Sequence, residues 1–115
     1  MFLVDTSVWI ETFRKNRPLA LESVVSFDDV VTCLPVIQEI LQGFRDERAY
    51  HLAHRAFLAL PVVESPLGLP VVEEAVQLYR SARRQGLTVR STVDCLVAAC
   101  AIRNGLIVLH RDRDY

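Results

Sequence analysis

No uninterrupted apolar run comes near the ~20 residues a membrane span requires. The chain opens on Met1-Phe2-Leu3-Val4-Asp5, with no positively charged leader before an apolar core. No signal peptide, no membrane contact and a cytoplasmic location are therefore expected. Cysteine is scarce, limited to Cys33, Cys95 and Cys100. The number is odd and no Cys-x-x-Cys or Cys/His metal spacing occurs, which argues against a disulfide framework and a zinc site. Buried free thiols in a reducing compartment are the plain reading. Neither charge sign is in excess, since the formal net charge is -1. A strongly basic nucleic-acid binder is thereby excluded, and any such contact must come from local patches. Repeats and low-complexity tracts are also missing. What is present is a chain of 115 residues, 51% hydrophobic and 23% charged, enough for one core in one domain.

Short apolar runs alternate with amphipathic ones. Phe2-Leu3-Val4 reads as a buried strand feeding a helix over Ser7 to Lys15. A short second helix is expected over Leu19 to Phe27, then a turn at Asp28-Asp29. Val30 to Leu34 is a second strand, rich in β-branched residues. Pro35 suits the first turn of a helix over Val36 to Phe44. Glu47 to Leu60 forms another amphipathic helix, and Pro61-Val62-Val63 a third strand. Pro70 opens a long helix ending near Gly86, with Glu73 and Glu74 early and Arg80, Arg83 and Arg84 late, the order the helix dipole favours. A further helix runs from Ser91 to Asn104-Gly105, and Leu106 to Leu109 is a fourth strand. Strands without alternation between helices indicate an α/β fold around a parallel sheet covered on both faces.

The greasiest stretch, Cys95 to Ile102, is apolar all round and so a buried helix. Asp94 stands at its mouth. A buried carboxylate is costly unless paired, hydrogen-bonded or metal-bound, although Ser91-x-x-Asp94 also fits a helix cap. Sites in open α/β sheets form beyond the carboxyl ends of the strands. Asp5 follows the first strand and Asp112 the last, so both lie along one edge; a cap for Asp5 and a solvated tail for Asp112 are the plainer alternatives. Glu39 falls off the apolar arc of its helix, beside Gly43, and either faces solvent or marks a close approach. Four carboxylates brought together repel one another and call for a cation, and all-oxygen ligands suit Mg²⁺ or Mn²⁺.

These residues resemble the PIN-domain ribonucleases, and among them the VapC-type toxins of bacterial toxin–antitoxin pairs. The matching segments are Val4-Asp5-Thr6-Ser7-Val8-Trp9, Ile37-Gln38-Glu39-Ile40, Arg90 to Ala99, and His110-Arg111-Asp112-Arg113-Asp114-Tyr115. The resemblance implies a three-layer α/β/α domain with a central parallel sheet of about four short strands. It implies a Mg²⁺- or Mn²⁺-dependent endoribonuclease cutting RNA, tRNA or rRNA, through metal-activated water, and a homodimer bound by a VapB-type antitoxin. By position, Asp5, Glu39, Asp94 and Asp112 are the catalytic and metal-holding acids. Thr6 or Ser7 orders the pocket, and Asp114 substitutes for or joins Asp112. Family members continue with a helix and a final strand, whereas this chain stops three residues after Asp112, so a single domain over 1–115 lacking those elements is expected.

Arg90, Arg111 and Arg113, nearest the acids in sequence, are candidates for RNA phosphate contact. Trp9 and Phe13, one turn apart, are candidates for an apolar surface that accepts the antitoxin, with core packing as the alternative. His51 and His54 read as surface residues. Two other functions remain open on the sequence. One is a PIN-like module that binds RNA or protein without cutting. The other is a phosphatase with a nucleophilic Asp5, which expects a second Asp where Ser7 stands.

Overall fold

The computed structural model describes residues 1–87 and 91–111. Four strands, β1 (Phe2–Val4), β2 (Val30–Cys33), β3 (Val62–Val63) and β4 (Ile107–Leu109), form one sheet in the order β3-β2-β1-β4. All neighbours are parallel, with Phe2 opposite both Val30 and Ile107. β1 and β2 occupy the middle, so Leu3, Val4 and every residue of β2 are buried. That is why these strands read as unbroken apolar runs. β3 is shorter than Pro61 to Val63 because Pro61 has no N–H to give a ladder. Its carbonyl still accepts from the Thr32 N–H at 2.9 Å.

Among the described residues, five helices accompany the sheet: α1 (Thr6–Thr12), α2 (Leu34–Gln42), α3 (Glu47–Leu58), α4 (Leu69–Arg84) and α5 (Thr92–Arg103). The expected α/β architecture is thus observed. α1, α2 and α3 pack in sequence, α4 packs along α5, and α2 also touches α5. The helix expected over Leu19 to Phe27 is instead two short 3-10 turns, Leu21–Ser23 and Phe27–Asp29. Val24 and Val25 are β-branched, and the Ser23 hydroxyl donates to the Ala20 carbonyl at 2.6 Å, competing with a continued helix. α1 stops at Thr12 rather than Lys15, because the chain doubles back and the Leu19 N–H donates to the Glu11 carbonyl at 3.0 Å. Gly43 does not mark a close approach: it caps the carboxyl end of α2, and a Cβ there would meet the Ile40 carbonyl oxygen at an ordinary 3.5 Å.

Both long C-terminal helices end the same way. Gly86 and Gly105 take left-handed φ values of 78° and 63°, which an L side chain resists. The Leu87 N–H then reaches the Ala82 carbonyl and the Leu106 N–H the Ala101 carbonyl, each at 2.9 Å, completing the left-handed cap. At α5 this cap turns the chain directly into β4. The chain therefore steps from β1 through β2 to β3 on one side, then places β4 on the other flank of β1. The crevice beyond the carboxyl ends of β1 and β4 is the switch point of the sheet, the favoured position for a site.

Candidate active site

Asp5 leaves β1 into that crevice, and it is only 3% exposed. It caps α1: its Oδ2 accepts from the Ser7 N–H at 3.1 Å and from the Ser7 hydroxyl at 2.7 Å. Its own N–H donates to the Leu109 carbonyl at the end of β4, 2.9 Å away. The Ser7 hydroxyl also accepts from the Arg111 N–H at 2.9 Å. One oxygen thus ties the first acid to the segment that follows the last strand. Ser7→Ala is expected to cost about 1–2 kcal/mol, the usual range for a cap or a buried hydrogen bond. Urea unfolding checks it, and a change within 0.3 kcal/mol, roughly the noise of such work, would count against this bridge.

The neighbouring hydroxyl serves the second acid. The Thr6 hydroxyl donates to Glu39 Oε1 at 2.8 Å, joining α1 to α2. Glu39 is therefore half-buried with a partner, not a free solvent-facing side chain. The sequence left the ordering hydroxyl open between Thr6 and Ser7. Both are used, on different carboxylates.

Asp94 lies in the first turn of α5, half-buried. The N-cap role falls to Ser91, whose hydroxyl accepts from the Val93 N–H at 3.1 Å. Burial, then the charge of Asp94, pushes the Cys95 thiol above its ordinary value. Leu34, Gln38, Glu39 and Gln42 of α2 and Val93 and Leu96 of α5 line one cavity of about 210 Å³. Glu39 and the mouth of α5 thus share a space. Cys33, Cys95 and Cys100 are buried free thiols, as expected. Hydrogen bonding to Cys100, then burial, holds the Cys33 thiol far above its ordinary value, where a thiol is inert.

One charged residue at this edge escaped the sequence reading. Glu11 on α1 meets the Arg14 guanidinium at 2.7 Å and that of Arg111 at 4.0 Å. The Arg14 hydrogen bond holds the Glu11 carboxyl below the ordinary carboxylate range, with the charges of Arg14 and Arg111 helping and desolvation opposing. The i, i+3 spacing of Glu11 and Arg14 was the available signal. Arg90, Asp112, Arg113 and Asp114 lie outside the described residues.

A sequence model of the PIN domain matches residues 2–115. This chain belongs to the PIN-domain family. It is 38% identical over 120 aligned positions to ribonuclease VapC11 of Mycobacterium tuberculosis, covering 100% of this chain and 89% of that protein. The VapC ribonuclease Mb1587 of Mycobacterium bovis matches with the same identity and coverage. Among solved structures, a toxin–antitoxin complex from Klebsiella pneumoniae aligns with a TM-score of 0.76 at 19% identity, over 99% of this chain and 89% of that one. VapC20 of Mycobacterium tuberculosis, described as a sarcin–ricin loop cleaving toxin, aligns with a TM-score of 0.73 at 20% identity, over 99% and 92% of the two chains. These structural likenesses concern the fold.

PIN-domain ribonucleases are metal-dependent as a family. In this PIN domain, Asp5, Glu39 and Asp94 offer carboxylate oxygens, the donors a hard cation prefers. Among the described residues, no group of three or more His, Cys, Asp or Glu side chains is disposed to hold a metal ion by itself. Mg²⁺ does not need such a cage, because it is commonly held through one or two carboxylates, with waters and substrate phosphate completing the shell. The donor set fits that mode of binding.

The aromatic pair is divided. Trp9 is 5% exposed and packs edge-on to Phe57, with ring centroids 4.9 Å apart. The indole belongs to the core, so it offers no surface to an antitoxin. Phe13 is 40% exposed. With Ile10, Glu39, Ile40, Gly43 and Phe44 it lines a groove of about 290 Å³ between α1 and α2. That apolar groove and the acidic site share Glu39.

Proposed function

We propose that this PIN domain is the endoribonuclease toxin of a toxin–antitoxin pair, working with Mg²⁺ or Mn²⁺. The observation that carries the reading is the pairing of Asp5 with Ser7 and of Glu39 with Thr6 at the switch point of a PIN fold. Two adjacent hydroxyls fix two acids from different helices, which is how a charged pocket is kept in register. The 38% identity to proteins named VapC ribonucleases supports the nuclease assignment. Asp5, Glu39 and Asp94, with Asp112 or Asp114, would hold the ion. When bound, a divalent ion neutralises phosphate charge and lowers the pKa of water. The reaction is hydrolysis of an RNA phosphodiester in line, with tRNA or rRNA as the substrate class, leaving 5′-phosphate and 3′-hydroxyl ends. Arg111, with Arg90 and Arg113, contacts the backbone phosphates. The groove beside Phe13 receives an apolar helix of a VapB-type antitoxin, and the active form is a homodimer.

The test is cleavage of a mixed RNA pool by the purified chain, with mapping of the new ends. Chelation by EDTA is expected to stop cleavage and added Mg²⁺ or Mn²⁺ to restore it. Full cleavage in EDTA, or 5′-hydroxyl products, would overturn the proposal.

A further inference from the structure

α2 carries two glutamines that neither the acids nor the core uses. Gln38 and Gln42 stand one turn apart on one side of the helix, while Val36 and Ile40 pack the core from the opposite side. Both glutamines are exposed, and among the described residues neither side-chain amide has a hydrogen-bond partner. Both border the cavity of about 210 Å³ between α2 and the mouth of α5, the cavity that Glu39 also lines. Its apolar walls are Leu34, Leu67, Val93 and Leu96, and the last three are anchored by packing on the core. Apolar walls with a few placed polar groups are the make-up of a ligand site.

The lining decides which ligand fits. No Lys, Arg or His is among the described residues around the cavity. Glu39 gives it negative charge, so a phosphate is repelled there and a neutral group is admitted. The volume is below the roughly 300–1,000 Å³ of pockets that enclose a whole drug-sized ligand, which leaves room for one flat ring system. A nucleobase is neutral and flat, with apolar faces and hydrogen-bonding edges. Single-stranded RNA offers such bases out of the stack, to be read on those edges. A glutamine amide sets an acceptor oxygen beside a donor NH₂. That pair matches adenine, which presents its N6 amino donor beside the N7 acceptor. Guanine puts two acceptors there, O6 and N7, whose usual reader is Arg or Lys. Glu39 is itself one of the acids, and Val93 precedes Asp94. A base seated here therefore belongs to a nucleotide adjoining the bond to be cut.

We propose that this cavity is an adenine pocket, in which Gln38 and Gln42 select RNA by the base next to the scissile phosphate. The place beside the cut rests on the proposed function; recognition of the base rests on the cavity alone. Two measurements on the full chain test it. The first is nuclear magnetic resonance during titration with adenosine, which reads binding without cleavage. The side-chain NH₂ signals of Gln38 and Gln42 are expected to shift. Inosine, the same size but with guanine's O6 and N7 acceptors, should bind about fivefold more weakly or worse, the scale of one lost base contact. The second is mapping of cut ends in a mixed RNA pool, where adenine is expected to be enriched at one position flanking the cut. The double variant Gln38→Ala/Gln42→Ala should lower that enrichment about tenfold. Alanine favours the helix, and the comparison of adenosine with inosine needs no variant at all. Equal binding of the two nucleosides, or cuts equally frequent beside all four bases, would overturn the pocket and leave the nuclease standing. Adenosine bound at these amides with no RNA cut under any metal would instead overturn the nuclease reading and keep the base site.

Discussion

Asp94→Asn is expected to abolish metal-dependent RNA cleavage and leave the fold intact. The side chain keeps its size, and Ser91 supplies the N-cap hydroxyl of α5, so the helix keeps its cap. What disappears is a full negative charge at the mouth of α5. The cut in rate should be on the order of 10²- to 10³-fold, the usual effect of removing one group aimed at transition-state charge or metal. Asp5→Asn should behave alike. Asparagine caps a helix about as well as aspartate, so Ser7 keeps an acceptor while the ligand charge is gone. Multiple-turnover cleavage, with thermal melting of each variant, separates chemistry from folding. Cleavage within threefold of wild type by a folded Asp94→Asn variant, well short of the order-of-magnitude loss expected for such a group, would remove Asp94 from the site. Weaker cleavage accompanied by a collapsed melting curve would instead assign it a structural role.

The largest loss of stability is expected at Phe57. Its ring is 1% exposed and meets Trp9 edge-on at 4.9 Å and Phe13 at 6.3 Å. α3 has few other anchors, since only Ala53 and Phe57 are buried on it. Phe57→Ala removes the ring and leaves a cavity beneath the indole, a change that costs about 3–5 kcal/mol. A domain of this size holds only about 5–15 kcal/mol in all, so the variant sits near the edge of folding at 37 °C. Denaturant unfolding should show the midpoint falling while the slope stays the same. The exposed neighbour supplies the control: Leu58→Ala should stay within about 0.5 kcal/mol of wild type. Equal effects at the two positions would mean that α3 is not held by the face described.

Much of this was legible from the chain. The strands announced themselves because central parallel strands have no polar face, and Asp5 and Asp94 because a carboxylate beside an apolar run is out of place. At Asp94 the sequence allowed a cap or a ligand; in the structure Ser91 supplies the N-cap hydroxyl of α5, and the ligand role of Asp94 stands as the proposal above. Local patterns failed where a contact joins distant residues. Nothing within one turn of Glu39 points to Thr6, 33 residues earlier, and nothing near Ser7 points to Arg111, 104 residues later. Periodicity set Trp9 and Phe13 on one face, but how deep each sits depends on Phe57 and Phe44 arriving from other helices. The false helix over Leu19 to Phe27 has a similar cause. Leu21 and Val25 are buried at helical spacing, yet tertiary contacts bury them without a helix.

The hydrogen bond from the Arg111 N–H to Ser7 has a consequence in time. β1 ends at Val4 and β4 at Leu109, so during synthesis one wall of the pocket exists long before the other. At roughly 5–20 residues per second, the delay is on the order of 5–20 s. Through that interval a nascent chain carries Asp5 without its neighbouring strand. The edge beside Asp5 and Ser7 is thus completed only once the segment around Arg111 has emerged and docked.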